Sequence, residues 1–341
     1  MPHSDMPSIS IALVAERRSD YLNDGYSEDE CAAFPHNGEI EQVLAALQSL
    51  NHRVTLVLGI HSLAQQLAAS KHRDWDLVFN MSQGFCGKSR EFQVPALLEA
   101  YQIPFTFADA ATMALCQDKT HTKVMLKHLN IPTAPFYVVA ADSLDASYPN
   151  LPTGLTSYPL FAKLATEGSS KGIGNFNKIN NPTELDEALR ELKTRYPGQP
   201  IILEPFLSGR EFTVSILGTG QDSRVIGIRE HIWGRHLKDC DSNETDCHCI
   251  LDFATKESKS NNASDNGARL SACDYEMATV EDSQINAACK VALDAWKSLL
   301  CRDAGRVDIR FDNDDPNSVP NILEVTLCHL PFVPPAIQLT T

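Results

Sequence analysis

Lys163 closes the apolar run Pro159-Leu-Phe-Ala-Lys163, and five residues later Gly168-Ser169-Ser170 begins a Gly/Ser-rich loop that runs to Gly174. A fixed ammonium beside a loop of backbone N–H groups is a layout that holds the phosphates of a nucleoside triphosphate. No Gly-Lys-Ser/Thr closes the loop, so it is not a Walker A sequence. Read alone, it is a weak signal, since most Gly/Ser loops merely connect strands. Four other segments carry matching chemistry. Asp118-Lys119 starts a helix ahead of the loop, and Glu204-Pro-Phe-Leu-Ser-Gly-Arg-Glu211 brackets a turn with two carboxylates. Arg306 and Asp308 share one face of a strand, because strand side chains alternate. Glu324 falls within cross-strand reach of Asp308 if the last two strands form a hairpin. Two facing carboxylates make a hard oxygen site of the kind Mg²⁺ takes when triphosphate oxygens complete its octahedron. Taken singly, each of these lysines, glutamates and ion pairs could be a solvated surface group of little energetic consequence.

The elements that must position these residues follow from the hydrophobic pattern. Ile9–Val14 reads as a strand buried on both faces. A helix over 39–50 with Ile40, Val43, Leu44 and Leu47 on one side, a strand over Val54–Leu58, a helix over His61–Ala69 and a strand over Asp76–Asn80 complete a βαβαβ order. That order implies a parallel sheet with ligands beyond its strand ends, where the loop Asn80 to Glu91 leaves. Asp118 caps a helix over Lys119–Leu129, and Asn181-Pro182 opens another with Leu185, Leu189 and Leu192 in a stripe. Phe136–Val139, Leu160–Ala162 and Pro200–Glu204 read as strands. Phe212, Val214 and Ile216 alternate with Thr213 and Ser215, as in a half-buried antiparallel strand that Val225–Ile228 can pair. A helix over 281–300 precedes the strands Arg306–Phe311 and Asn321–Leu327. The polar stretch 235–280 reads as a lid or an insertion.

The chain of 341 residues, 43% hydrophobic and 21% charged, is that of an ordinary globular protein with room for two or three cores. Its net charge of -15 and lack of a basic patch argue against a nucleic-acid partner. No basic n-region with a signal core and no run of about 20 apolar residues is evident, so a cytoplasmic protein with no membrane partner is expected. The ten cysteines are scattered, as reduced buried thiols would be. Cys240, Cys247, His248 and Cys249 could supply zinc ligands, but no standard Cys-x₂-Cys pair occurs, and a surface insertion is the favoured reading.

With these motifs in order, the chain resembles an ATP-grasp ligase of the D-alanine–D-alanine ligase type. The resemblance runs from Asp76 to Glu324 through DLVFN, SREFQVPALLE, IPFT, DKTHTK, PLFAK, EGSSKGI, ILEPFLSGREFTVSILG, GRVDIRFD and ILEV. It implies an α/β chain: an N-terminal Rossmann-like parallel sheet (1–108), an ATP-grasp small lobe with a glycine-rich lid (109–200) and an ATP-grasp C-terminal lobe with a metal site (201–341). It implies ATP and Mg²⁺ or Mn²⁺ as cofactors, small amino-acid-like substrates and a homodimer. Lys119 and Lys163 would contact phosphates, and Gly168, Ser169 and Ser170 would cover them. Glu204, Pro205 and Leu207 would read the adenine, and Glu211 the ribose. Asp308, Glu324 and Thr326 would hold the metal. Arg306, Ser169 and Lys256, the last in a mobile loop, would act on the reacting phosphoryl group. The implied reaction is amide or dipeptide formation through an acyl-phosphate. A biotin-dependent carboxylase of the same superfamily is disfavoured, because no biotin-handling segment is visible.

The chain departs from the family pattern at several points. Thr326 stands where the family has asparagine, and the resemblance stops after Val325. Gln83 stands at a histidine position, Arg90-Glu91 varies an acidic segment, and Glu257 follows Lys256 in place of tyrosine. These changes leave open a nucleotide-binding homologue impaired in catalysis, and they point to substrates other than two D-alanines.

Overall fold

The structure, a computed structural model, describes residues 7–141, 151, 153–232, 271–275 and 281–327. Strand β1 (Ser10–Ala15) is buried at every position and lies between β2 (Arg53–Leu58) and β3 (Leu77–Asn80), parallel to both. A central strand covered on both faces needs an unbroken apolar sequence, and Ile11-Ala-Leu-Val-Ala15 supplies one. Helices α1 (Arg18–Asn23) and α2 (Asn37–Ser49) lead from β1 to β2, and α3 (Gly59–Ala68) leads on to β3. Ile40 and Val43 of α2 pack with Leu13 on one face of the sheet. Leu63 and Leu67 of α3 pack with Ala12 and Val57 on the other. Helix α4 (Gln93–Ala100) then returns the chain so that Phe105 bridges Val78 in parallel.

Two capped helices carry the chain onward. Asp109 accepts the Thr112 N–H at the start of α5 (Ala110–Gln117), and Asp118 accepts those of Thr120 and His121 at the start of α6 (Lys119–His128). Such caps satisfy donors that a helix start leaves open, and they fix where Lys119 enters.

The second sheet is antiparallel, in the order β4-β7-β5-β6, with β4 (Tyr137–Val139), β5 (Leu160–Leu164), β6 (Lys178–Ile179) and β7 (Ile201–Pro205). Helix α7 (Pro182–Arg195), capped by Asn181, buries Leu185, Leu189 and Leu192 against Leu160, Ala162 and Leu203. Period-two alternation therefore turns Phe161 and Lys163 to the opposite face.

The third sheet has the order β10-β9-β8-β11-β12 and is antiparallel throughout. Its strands are β8 (Glu211–Leu217), β9 (Arg224–Ile232), β10 (Ser271–Tyr275), β11 (Ala304–Phe311) and β12 (Pro320–Thr326). Helix α8 (Ser283–Ser298) covers one face, packing Ile285, Ala292 and Trp296 with Phe212, Val214, Val307 and Ile309. The exposed side expected for β8 is absent at Ser215, which is only 1% exposed. Strands flank β8 on both sides, and Ser215 sits in register with Arg306. Gly305 lets β11 pass close to its neighbours, since a Cβ there would collide with the Thr326 carbonyl oxygen and the Trp296 ring.

Among the described residues no helix is long and apolar enough to cross a membrane. Lys256, the cysteine-rich cluster Cys240 to Cys249 and the residues after Leu327 lie outside the described residues.

Candidate active site

The face of the second sheet that carries Lys163 and the face of the third sheet that carries Arg306 and Asp308 enclose one cleft. It encloses about 960 Å³ of space, the open solvent at its mouth included. Lys119, Lys163, Gly168, Ser170, Glu204, Pro205, Leu207, Glu211, Arg306, Asp308 and Glu324 line it together. Ser169 and Thr326 line a smaller adjoining chamber, which shares Gly168, Arg306 and Glu324 with the cleft.

Glu204 is the electrostatic centre of one end. Its carboxylate is buried between two ammonium groups, Lys123 Nζ at 2.5 Å and Lys163 Nζ at 2.7 Å. Burial alone would raise its pKa, but Lys123 and then Lys163 overcome that and bring it down to about 2. Lys123 is itself 1% exposed, donates to Thr133 Oγ1 at 2.6 Å and to the Ala134 carbonyl at 3.2 Å, and has its pKa lowered by burial. Two cations on one buried anion leave one positive charge over, facing the cleft. That suits a polyanionic ligand.

At the other end Lys119 donates to the Glu167 carbonyl at 2.5 Å and to Glu324 Oε1 at 3.0 Å. Burial opposes ionisation of Glu324, yet Lys119 foremost, then Arg306 and Lys163, brings its pKa down to about 2. Glu324 stands directly opposite Asp308, and the register slips immediately afterwards so that Ile309 faces Ile322. The slip leaves Leu323 as an extra residue in β12, and Leu323 and Glu324 both line the cleft. Asp308 accepts from Thr213 Oγ1 at 2.7 Å and lies 3.8 Å from Arg306 Nε. Among the described residues no group of three or more His, Cys, Asp or Glu could hold a metal. Two carboxylates suffice for Mg²⁺ when phosphates and waters complete its shell. The opposed pair Asp308 and Glu324, with Thr326 two residues on, fits that requirement.

The loop between β5 and β6 turns through Ser169 at φ 53° and Ser170 at φ 61°. Non-glycine residues seldom occupy this left-handed region, and such strain collects at functional sites. A Cβ added to Gly168 would lie 3.4 Å from Glu324 Oε1, so the loop passes directly beside that carboxylate.

Part of the cleft wall is aromatic. Phe161 and Phe206 have ring centroids 6.3 Å apart, and the Arg310 guanidinium lies 5.2 Å from the Phe206 centroid. Arg310 Nη1 also binds Glu211 Oε2 at 3.0 Å across β8 and β11.

Sequence reasoning missed Lys123, Arg310 and Glu16, and noted Arg90 only as a variation of an acidic segment. Lys123 was signalled by its place four residues after Lys119, one turn along the same helix face. Arg310 was signalled by its parity with Arg306 and Asp308. Arg90 gave a weaker sign. Its guanidinium lies 3.3 Å from the Thr166 carbonyl and 3.4 Å from Glu167 Oε2, reaching the start of the Gly168 loop. Glu16 follows β1 and accepts from Ser82 Oγ at 2.6 Å and from the Gln83 N–H at 2.7 Å; burial raises its pKa.

Comparisons with known proteins bear on the family and the fold. The family profile described as "D-ala D-ala ligase C-terminus" matches residues 125–325, more than half of the chain. A D-alanine–D-alanine ligase of Rhizorhabdus wittichii is 28% identical over 88% of this chain and 82% of that protein. The uncharacterised protein y4sG of Sinorhizobium fredii is 25% identical over 86% of this chain and 78% of its own length. Among solved structures, the Bacillus anthracis D-alanine–D-alanine ligase complexed with ATP has a TM-score of 0.63 at 18% identity, covering 94% of this chain and 86% of that one. The fold expected from sequence, a Rossmann-like sheet followed by a two-lobed ATP-grasp fold, is thus borne out. With that profile spanning most of its two antiparallel sheets, the chain belongs to the D-alanine–D-alanine ligase family.

Proposed function

We propose that the protein is an ATP-dependent carboxylate–amine ligase that forms an amide bond through an acyl-phosphate. The observation that carries this reading is the convergence on one cleft of Lys119, Lys163, the Gly168 loop, Arg306 and the opposed carboxylates Asp308 and Glu324. A carboxylate resists attack by an amine because oxide is a poor leaving group; a phosphoryl group on its oxygen makes phosphate the leaving group. Phosphoryl transfer asks the protein chiefly for position and charge neutralisation.

In this reading Lys119 and Lys163 hold phosphate oxygens, and Gly168, Ser169 and Ser170 exclude water from above. Glu204, Pro205 and Leu207 meet the adenine, and Glu211 meets the ribose. Arg306, beside Asp308, stabilises the charge that develops as the carboxylate oxygen attacks. Lys256 is assigned to the reacting phosphate by resemblance alone. Asp308 and Glu324, with Thr326, would hold Mg²⁺ or Mn²⁺, which would supply charge neutralisation on the phosphates.

The protein is to be incubated with ATP, Mg²⁺ and pools of amino acids while phosphate release is followed. Release that depends on a pool supports the ligase. ATP binding with no release from any pool would instead support the second reading, a nucleotide-binding homologue impaired in catalysis. Thr326 favours that alternative, because it offers a hydroxyl where the family has an amide oxygen.

A further inference from the structure

We propose that the chamber beside the cleft holds an amino-acid substrate by a side chain ending in an oxygen acceptor, an amide or a carboxylate, and that Gln117 is the donor that reads it. This rests on the ligase reading of the neighbouring cleft, since the chamber joins it at Gly168, Arg306 and Glu324. A substrate seated there has its reacting end beside the proposed phosphate site.

The chamber is walled by buried polar side chains. Gln83, Arg90 and Gln117 line it at 2%, 5% and 8% exposure. The orientation of Gln117 is fixed by its own bond: Oε1 accepts the Glu91 N–H at 3.1 Å. A backbone N–H can only donate, so the amide oxygen must occupy that side and the NH₂ group the other. Nε2 has no hydrogen-bond partner among the described residues. A buried donor left unmet costs about 1–3 kcal/mol, and an oxygen on the ligand would recover that.

Arg90 adds a second donor set. Its contacts with the Thr166 carbonyl, Glu167 and Glu91 are 3.3, 3.4 and 3.6 Å, all longer than the ~2.7–2.9 Å of a tight charge-assisted bond. A guanidinium held this loosely retains donors for a ligand. In the chamber wall Arg90 and Arg306 are balanced by Glu91 and Glu324. The balance admits a neutral amide as readily as a carboxylate, and the two arms of the test below separate them.

The test is calorimetric binding of alanine, leucine, asparagine and aspartate, in both stereoisomers, to the protein loaded with a non-hydrolysable ATP analogue. Leucine is close to asparagine and aspartate in size but carries no acceptor. Asparagine or aspartate should bind at least about tenfold tighter than leucine and alanine, within the worth of one buried bond. Gln117→Glu keeps an oxygen for the Glu91 N–H and replaces the donor by a second oxygen, so the advantage, above all that of aspartate, should vanish. Its melting curve reports whether it has folded, and Gln117→Met removes the donor without adding charge. Leucine or alanine binding as tightly as asparagine and aspartate would overturn the proposal. So would an unchanged ranking in the folded variants, or no amino acid binding at all. Tight binding without phosphate release from ATP would leave the chamber assignment standing and reject the ligase reading instead.

Discussion

Lys119 Nζ lies 3.0 Å from Glu324 Oε1 and joins the first residue of α6 to β12 across 205 positions of sequence. The same ammonium donates to the carbonyl of Glu167, next to Gly168. One side chain therefore ties together the capped helix, the glycine loop and one of the two opposed carboxylates. This junction is where the loop proposed to cover the phosphates meets the proposed metal site.

Lys163 and Lys123 share one anion, so their removal should have different consequences. Lys163→Ala should weaken ATP binding at least about tenfold, the loss of one charge-assisted contact. The fold should persist because Lys123 still neutralises Glu204. Equilibrium dialysis with labelled ATP checks this, and unchanged affinity would remove Lys163 from the phosphate site.

Lys123→Met should act mainly on stability. Removing one partner of a buried ion pair costs about 3–5 kcal/mol, and Lys163 on the other oxygen should hold the loss near the low end. Urea denaturation measures it. Adding Glu204→Gln to Lys123→Met should restore part of the loss, since the buried charge is then gone, and that non-additivity is the signature of the pair.

Glu204 and Glu324 both sit at about 2 against the ordinary 4.5. A carboxyl whose folded pKa is depressed contributes stability above its unfolded value and loses it as pH falls through the folded one. The thermal midpoint should therefore fall steeply between about pH 5 and pH 2, and Glu204→Gln should flatten that fall. Glu16 has the opposite sign. Its raised pKa gives stability that is present at low pH and lost as pH rises through the folded value. Glu16→Gln should remove that loss.

The fold was readable because its strands and helices are cleanly periodic. The unbroken apolar run of β1 and the Asp118 and Asn181 caps fixed element starts to within a residue or two. The hairpin that opposes Asp308 to Glu324 was also legible, from two apolar strands joined by the turn Asp312 to Asn317. The bulge that brings Leu323 beside Glu324 was not, because an extra residue in a strand leaves no mark in composition. Nor could spacing show that Lys163 meets Lys123 over Glu204. That contact depends on how α6 packs against the second sheet, a tertiary event. Arg90 was noticed only as a departure from a motif, and its reach to Thr166 and Glu167 crosses between units.

Arg310 holds Glu211 at the aromatic part of the cleft wall. If Glu211 meets the ribose, Arg310 positions it, and ATP should bind better than 2′-deoxy-ATP. Arg310→Met should lower ATP affinity by about 1–2 kcal/mol and narrow the gap to the deoxynucleotide. Competition binding with the two nucleotides checks it. A gap that is wide and unchanged in the variant would show that Glu211 needs no such support.

The central claim is that a substrate carboxylate receives the γ-phosphoryl group of ATP. A carboxylic substrate labelled with ¹⁸O in its carboxyl group tests it most directly, with mass analysis of the phosphate released. The account predicts that each phosphate carries one ¹⁸O derived from the carboxylate, in step with amide formation. Phosphate with no ¹⁸O, its fourth oxygen taken from solvent, would mean that water receives the phosphoryl group, and would contradict it.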